Sequence, residues 1–254
     1  MFSVALLRGA LPLATLVLTT LSALAGVPFV TDDPDTSDKG HYEINLAVQA
    51  TRNSISTSGV FPSLEVNYGV LDNLEAHIAV PIAFDRVSAG NTSSAVGDVE
   101  VGVKYRFIDA DNYGWRPAVA FAPAIALRTG DAGHGLGSGR THGSLPVWLS
   151  EELERWTIFG GGYNINPGTD NRNFWFAGLG ATYEVSPEVI VGAEIFRTTA
   201  GTVDGTNGTG FNVGAIFNLS DKHQLLFSVG RNIENAASNN LFLGLHRLSA
   251  NVLT

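Results

Sequence analysis

Eight ionisable side chains stand out by their spacing. Glu43, Glu65, Glu75, His77, Glu100, Lys104, Arg106 and Glu194 each lie on the polar side of a run in which every second residue is apolar. Five carboxylates, an imidazole and two cations on one such face have two uses. They can pair across a sheet and neutralise charge inside a fold, or they can line a polar passage that sorts ions and solutes. Counting back from the middle of the connection between the third and fourth runs sets Glu75 opposite Arg106 and His77 opposite Lys104, within two residues. Such a pair contributes about 0.2–1 kcal/mol. Charge pairing is the simpler role for each residue singly, and an effect on permeation is expected of the set.

Three other motifs carry weaker chemistry. His142-Gly143-Ser144 places an imidazole and a hydroxyl on one face, but a nucleophile needs a base in reach and a third group to orient that base, and no such group is evident. The loop from Arg128 to His142 contains GHGLGSG without the following helix that a phosphate cradle requires, so it reads as an external loop able to fold inward as a gate. The acidic stretch at 26–40, GVPFVTDDPDTSDKG, departs from the calcium-loop pattern and reads as a solvated extension. No metal site and no cofactor are expected.

The elements that must position these residues repeat with a period of two, which is the period of strands. Over 173–197 the set Trp175, Ala177, Leu179, Ala181 and Tyr183 opposes Phe176, Gly178, Gly180, Thr182 and Glu184. After the turn at Ser186-Pro187, Val189, Val191, Ala193 and Ile195 oppose Gly192 and Glu194. Tyr42, Tyr68 and Tyr105 sit on the apolar sides of other runs. Trp175 and Tyr183 lie on the order of 20 Å apart along the normal for a strand tilted by roughly 40°, near the ~25 Å apolar band between aromatic girdles of a membrane barrel. Tyr42, Tyr68, Tyr105, Trp175 and Tyr183 are therefore the expected girdle. About twelve such runs follow one another, joined alternately by short and long connections. Short ones fall near 71–73, 109–114, 151–154, 185–188 and 219–222, and long ones near 52–61, 86–95, 128–142, 164–172, 198–209 and 231–239. A soluble sandwich with crossing connections has no reason to obey that rule.

Residues 1–25 have the form of a secretory signal: Arg8, an apolar core, and Ala23-Leu24-Ala25 as a cleavage site. No later run is long and apolar enough for a membrane helix, so an exported chain of this kind either stays soluble or spans a membrane as a closed sheet. The formal net charge of −9 lacks a basic cluster, which argues against nucleic acid as a partner, and the absence of cysteine removes disulfides and thiolate metal sites.

Several segments resemble one family. Pro28-Phe29-Val30-Thr31-Asp32-Asp33-Pro34, followed by Gly40-His41-Tyr42-Glu43-Ile44-Asn45, is similar to the start of the outer-membrane "MetA-pathway of phenol degradation" family of transporters. Gly97-Asp98 through Gly102, Lys104, Tyr105, Arg106 and Phe107 resembles its G-D-x-x-x-G-x-K-Y-R-F strand. Leu127-Arg128-Thr129-Gly130-Asp131 resembles its L-P-T-G-D segment, with Arg128 in place of proline, and Ser186 to Glu194 fits a later turn and strand. The resemblance implies a barrel that passes small, often aromatic or hydrophobic, compounds. The chain departs from barrels of that compartment at its end, where Leu248 and Ser249 replace the usual terminal aromatic used in assembly.

The expectation is thus all-β: an antiparallel up-and-down transmembrane β-barrel of about twelve strands, with short periplasmic turns and longer extracellular loops. Its parts are a signal peptide at 1–25, an N-terminal periplasmic extension at 26–40, the barrel at 41–248 and a tail at 249–254. The partners are outer-membrane lipid, small solutes and the barrel-assembly machinery. The glycines at 178, 180, 192 and 214 and the alanine row of the fifth strand are expected to leave a narrow open lumen. The alternatives are an outer-membrane lipid hydrolase using His142 and Ser144, and a non-conducting structural barrel.

Overall fold

A computed structural model describes residues 28–52, 56–87, 92–111, 116–165, 173–200 and 207–234, and the backbone of 239–249. Twelve antiparallel strands close on themselves. They are β1 (Tyr42–Arg52), β2 (Ser56–Leu71), β3 (Leu74–Val87), β4 (Thr92–Val96 and Val99–Ile108), β5 (Ala118–Phe121 and Ala124–Leu127), β6 (His142–Ser144 and Val147–Leu153), β7 (Trp156–Ile165), β8 (Phe174–Ser186), β9 (Val189–Thr198), β10 (Gly208–Ser220), β11 (His223–Asn232) and β12 (Asn239–Ser249). Each pairs with its neighbours in sequence, and β12 pairs with β1 from Tyr42↔Ser249 to Arg52↔Asn239. Among the described residues closure leaves no strand without a partner on both sides except the segment Thr92–Val96, which pairs only with β3; hydrocarbon demands such pairing because an unpaired backbone group there costs several kcal/mol.

The alternation sorts the two faces as expected. Leu179 is 58 % and Ile195 51 % exposed on the outside. On the inside Glu43, Glu75, Glu194, Asn67 and Asn212 are buried. Apolar side chains out and polar ones in is the signature of a barrel in lipid. The girdle residues divide unequally between the rims. Tyr42 and Tyr68 pair across β1 and β2 with ring centroids 4.8 Å apart, Tyr105 lies 6.4 Å from Phe107, and Tyr183 lies 4.8 Å from Trp156 with the Arg155 guanidinium 5.3 Å over its ring. All of these are at the short-turn ends of their strands; Trp175 alone among the five stands at the long-loop end.

Three strands are interrupted, at Gly97-Asp98, Ala122-Pro123 and Leu145-Pro146. Proline donates no ladder hydrogen bond, so two of these breaks follow from the sequence. The proline carbonyls still accept, Pro123 from the Val103 N–H at 3.1 Å and Pro146 from the Ala122 N–H at 3.0 Å. Two connections expected to be long are consumed by strand: β1 runs to Arg52 with β2 starting at Ser56, and β3 runs to Val87 with β4 starting at Thr92. The expected register holds within its two-residue margin. Glu75 faces Lys104 and His77 faces Gly102, because Arg86↔Thr92 centres the hairpin on residue 89, before the middle of the expected loop. Ser249 belongs to the last strand rather than to a tail, and the expected signal peptide lies outside the described residues.

Candidate functional site

The segment expected as a solvated extension is folded into the barrel. It enters at the short-turn rim, where the Gly40 N–H donates to the Gly69 carbonyl at 2.7 Å, and crosses the lumen back to Pro28. Pro28, Thr31, Asp33, Pro34 and Ser37 are buried. The physical reason lies in its partners, which solvent could not match. The Ser37 N–H and hydroxyl both donate to Glu75 at 2.7 Å. Asp35 bonds Arg106 at 3.2 Å, and Asp32 bonds Lys104 at 3.0 Å. On the far side the Val30 and Thr31 N–H groups donate to the two oxygens of Glu194 at 2.8 Å, and the Asn212 amide donates to the same carboxylate. The Ser228 hydroxyl donates to the Pro28 carbonyl at 2.8 Å. Two of the strap's four acidic residues, Asp32 and Asp35, are thus spent on the barrel's cations. Among the described residues no cluster of His, Asp and Glu has the arrangement of a metal site.

Four of the eight charged positions, Glu75, Lys104, Arg106 and Glu194, hold this strap. Glu75 and Lys104 are opposite each other, yet each commits its polar atoms to the strap. The other four lie along the same wall and have partners on it. Glu43 accepts from Asn67 and Asn45 at 3.1 and 3.2 Å, Glu65 accepts from Asn45 at 3.3 Å, and His77 lies 3.5 Å from Glu100.

The opposite wall, β6 to β9, was not visible as a site in the sequence. Trp148, Tyr163, Phe176 and Phe196 point inward and pack together, with Tyr163 stacked on Phe176 at 4.9 Å and Trp148 edge-on to both. The buried alanines of β5 lie beside them, Ala120 being the Cα partner of Trp148. Nearer the short-turn rim, Phe29 of the strap lies 5.7 Å from Phe159. Ile190, Ile216 and Leu226 form an apolar floor below. Along its own strand Phe176 is one aromatic in an otherwise small or polar set; only the recurrence of aromatics on adjacent strands marks a wall.

The inner glycines leave space for the strap, not for an open pore. A Cβ at Gly178 would overlap the Thr31 hydroxyl, and one at Gly192 would come within 2.9 Å of the Phe29 ring. What remains is a cavity of about 400 Å³ above the strap, between the charged and aromatic walls, lined by Glu65, His77, Glu100, Ala124, Trp148 and Tyr163 with Phe29 and Asp32 on its floor.

The loop after β5 is latched. Asp98 accepts from the Gly130 N–H at 2.9 Å and from the Ser138 N–H and hydroxyl at 2.6 Å, while the Thr129 hydroxyl donates to the Gly97 carbonyl at 2.7 Å. Leu136 is buried beneath. The Gly97-Asp98 and Thr129-Gly130 segments are therefore one unit across two strands. Ser144 lines the cavity, but His142 lies 3.3 Å from the Arg140 carbonyl. Among the described residues no hydrogen bond joins His142 to Ser144.

A family model described as "Putative MetA-pathway of phenol degradation" matches residues 25–247. No curated protein matches the sequence. Among solved structures the chain is similar to the COG4313 outer membrane channel from Pseudomonas putida F1, with 20% identity, a TM-score of 0.69, and coverage of 85% of this chain and 98% of that one. It is also similar to the NanC porin, with 10% identity, a TM-score of 0.56, and coverage of 80% and 98%. A third is a TodX mutant described as a monoaromatic hydrocarbon channel, with 9% identity, a TM-score of 0.51, and coverage of 85% and 92%. At these identities the likeness concerns the fold.

Proposed function

Because the chain belongs to the "MetA-pathway of phenol degradation" family, whose model spans nearly all of it, we propose that it is an outer-membrane channel for small solutes. The preferred solutes are aromatic or otherwise hydrophobic molecules that carry a polar group. The observation that carries this reading is the cavity itself, with carboxylates and an imidazole on one side and Trp148 and Tyr163 on the other. A planar ring fits against the aromatic wall, where offset or edge-on contacts favour it, and its polar substituent meets the charged wall. A sugar gains less from that wall. Passage to the short-turn rim requires the strap to shift, since it occupies the space around both Glu194 and Arg106.

The test is uptake in liposomes with aromatic acids against sugars of similar size, alongside conductance in planar bilayers. Aromatic acids are expected to enter faster, and a variant with a loosened strap to conduct more than wild type. A barrel silent at every voltage, in wild type and in the loosened variant alike, would overturn the channel reading in favour of a structural barrel.

A further inference from the structure

The outside of the barrel ends differently at its two rims. Aromatic rings crowd the short-turn rim, whereas arginines end the apolar runs at the long-loop rim. In β1 the outward series Ile44, Leu46, Val48, Ala50 ends in Arg52; in β3 the series Ile78, Val80, Ile82, Phe84 ends in Arg86. Both arginines face Thr57 of β2, since Arg52↔Thr57 and Thr57↔Arg86 are in register. Gly59, in register with Ala50 and Phe84, adds no side chain between them. Arg52, Thr57, Phe84 and Arg86 line a hollow of about 480 Å³ there. Arg231 lies two strands away along the same hydrogen-bonded row, through Asn239.

The nearby acids do not pair with these cations: Asp85 alternates with Arg86 onto the other face of β3, and Glu234, three residues beyond Arg231, bonds Arg197. Among the described residues no ion pair includes Arg52, Arg86 or Arg231, and the connections 53–55 and 88–91 contain neither Asp nor Glu. Arg197 shows the contrast: it also ends an outward apolar run, and Glu234 neutralises it at 2.9 Å. Three unneutralised arginines on a chain of net charge −9 are a local surplus of positive charge where the apolar band meets the external surface. The guanidinium fork matches phosphate oxygens in pairs. The hollow is continuous with Phe84 and the lipid-facing wall, so an acyl chain can lie below a phosphate held by the arginines.

We infer that Arg52 and Arg86, with Thr57 between them and Arg231 beside them, form an external site for the phosphate headgroup of an outer-leaflet lipid. The apolar continuation is what selects a lipid over a free anion. Each arginine at a membrane surface strengthens such binding by a factor of roughly five.

The experiment measures binding of bisphosphorylated lipid A and of its dephosphorylated form to the full-length protein in detergent, by native mass spectrometry and fluorescence displacement. Arg52→Gln and Arg86→Gln are each expected to weaken binding of the phosphorylated form roughly fivefold, and the double variant roughly twenty-five-fold. Arg197→Gln, whose partner is Glu234, is expected to leave it unchanged. All three substituted residues are exposed, and heat-modifiable gel mobility reports that each variant is folded. Equal wild-type binding of both lipid forms would overturn the proposal, as would undiminished binding by the double variant. Inorganic phosphate competing as well as the lipid would also overturn it, by showing a free-anion site.

Discussion

The two sides of the lumen hold one strap by different physics. The wall from β1 to β4 uses charge: Glu75, Lys104 and Arg106 bond Ser37, Asp32 and Asp35 in pairs that only complementary groups can make. The wall from β7 to β11 uses closeness. Gly178, Gly192 and Gly214 let the strap lie against the sheet, Phe159 meets Phe29, and Glu194 is the single charged anchor among the described residues. The first arrangement gives direction and register to a polar chain. The second gives it room and an apolar surface. A strap held only by the first would be wet and easily displaced; one held only by the second would lack a fixed register.

The comparison breaks most sharply with Phe176→Ala. Phe176 is buried among Trp148, Tyr163 and Phe196, so its loss is expected to cost about 3–5 kcal/mol of barrel stability in denaturant titrations, with little change in conductance. Glu194→Ala is expected to do the reverse. It strands the Val30 and Thr31 N–H groups, at about 1–3 kcal/mol for each that stays buried, so the strap loosens and conductance rises while the barrel still folds. Leu179→Arg, midway between Trp175 and Tyr183 on the lipid side, is expected to cost about 2–4 kcal/mol if it lies at the midplane. Equal tolerance of Leu179→Arg and Glu194→Ala in stability measurements would mean that the faces are reversed.

A pH effect comes next in size. Burial, reinforced by the neighbouring Asp35 carboxylate, holds Asp33 well above the usual carboxylate range, with Lys104 pulling the other way. Burial moves Asp35 in the same direction, against Arg106. A docked strap therefore binds protons more readily than a free one. The stabilisation from this source is fully present below the ordinary carboxylate range and is lost as pH rises through the elevated one. Open probability in bilayers is expected to climb with pH over that window, and Asp33→Asn to flatten the climb. The smallest effect is expected from Glu65→Gln, which removes one charge above the strap and lowers cation preference in reversal-potential measurements without opening the channel.

The charged wall was legible because charge on a period-two pattern has few explanations. Strand count, facing and the partition of Glu43 to Glu194 onto the inside follow from alternation alone. The strap was not legible, because Pro, Asp and Ser at 28–37 have the composition of a solvated loop, and only the complementary residues distant in sequence reveal that they are buried. The glycines at 178, 192 and 214 were expected to open a narrow lumen; the strap fills the space they leave, because spacing along a strand does not tell what fills it. Phe159 and Phe176 were hidden for a related reason: an aromatic residue at an inward position reads as noise until its neighbours on adjacent strands are known.

The strap leads directly into β1, and β1 with β12 is the pair that shuts the sheet. The strand that seals the cylinder thus carries its own cork, and seam and stopper are contiguous stretches of one chain.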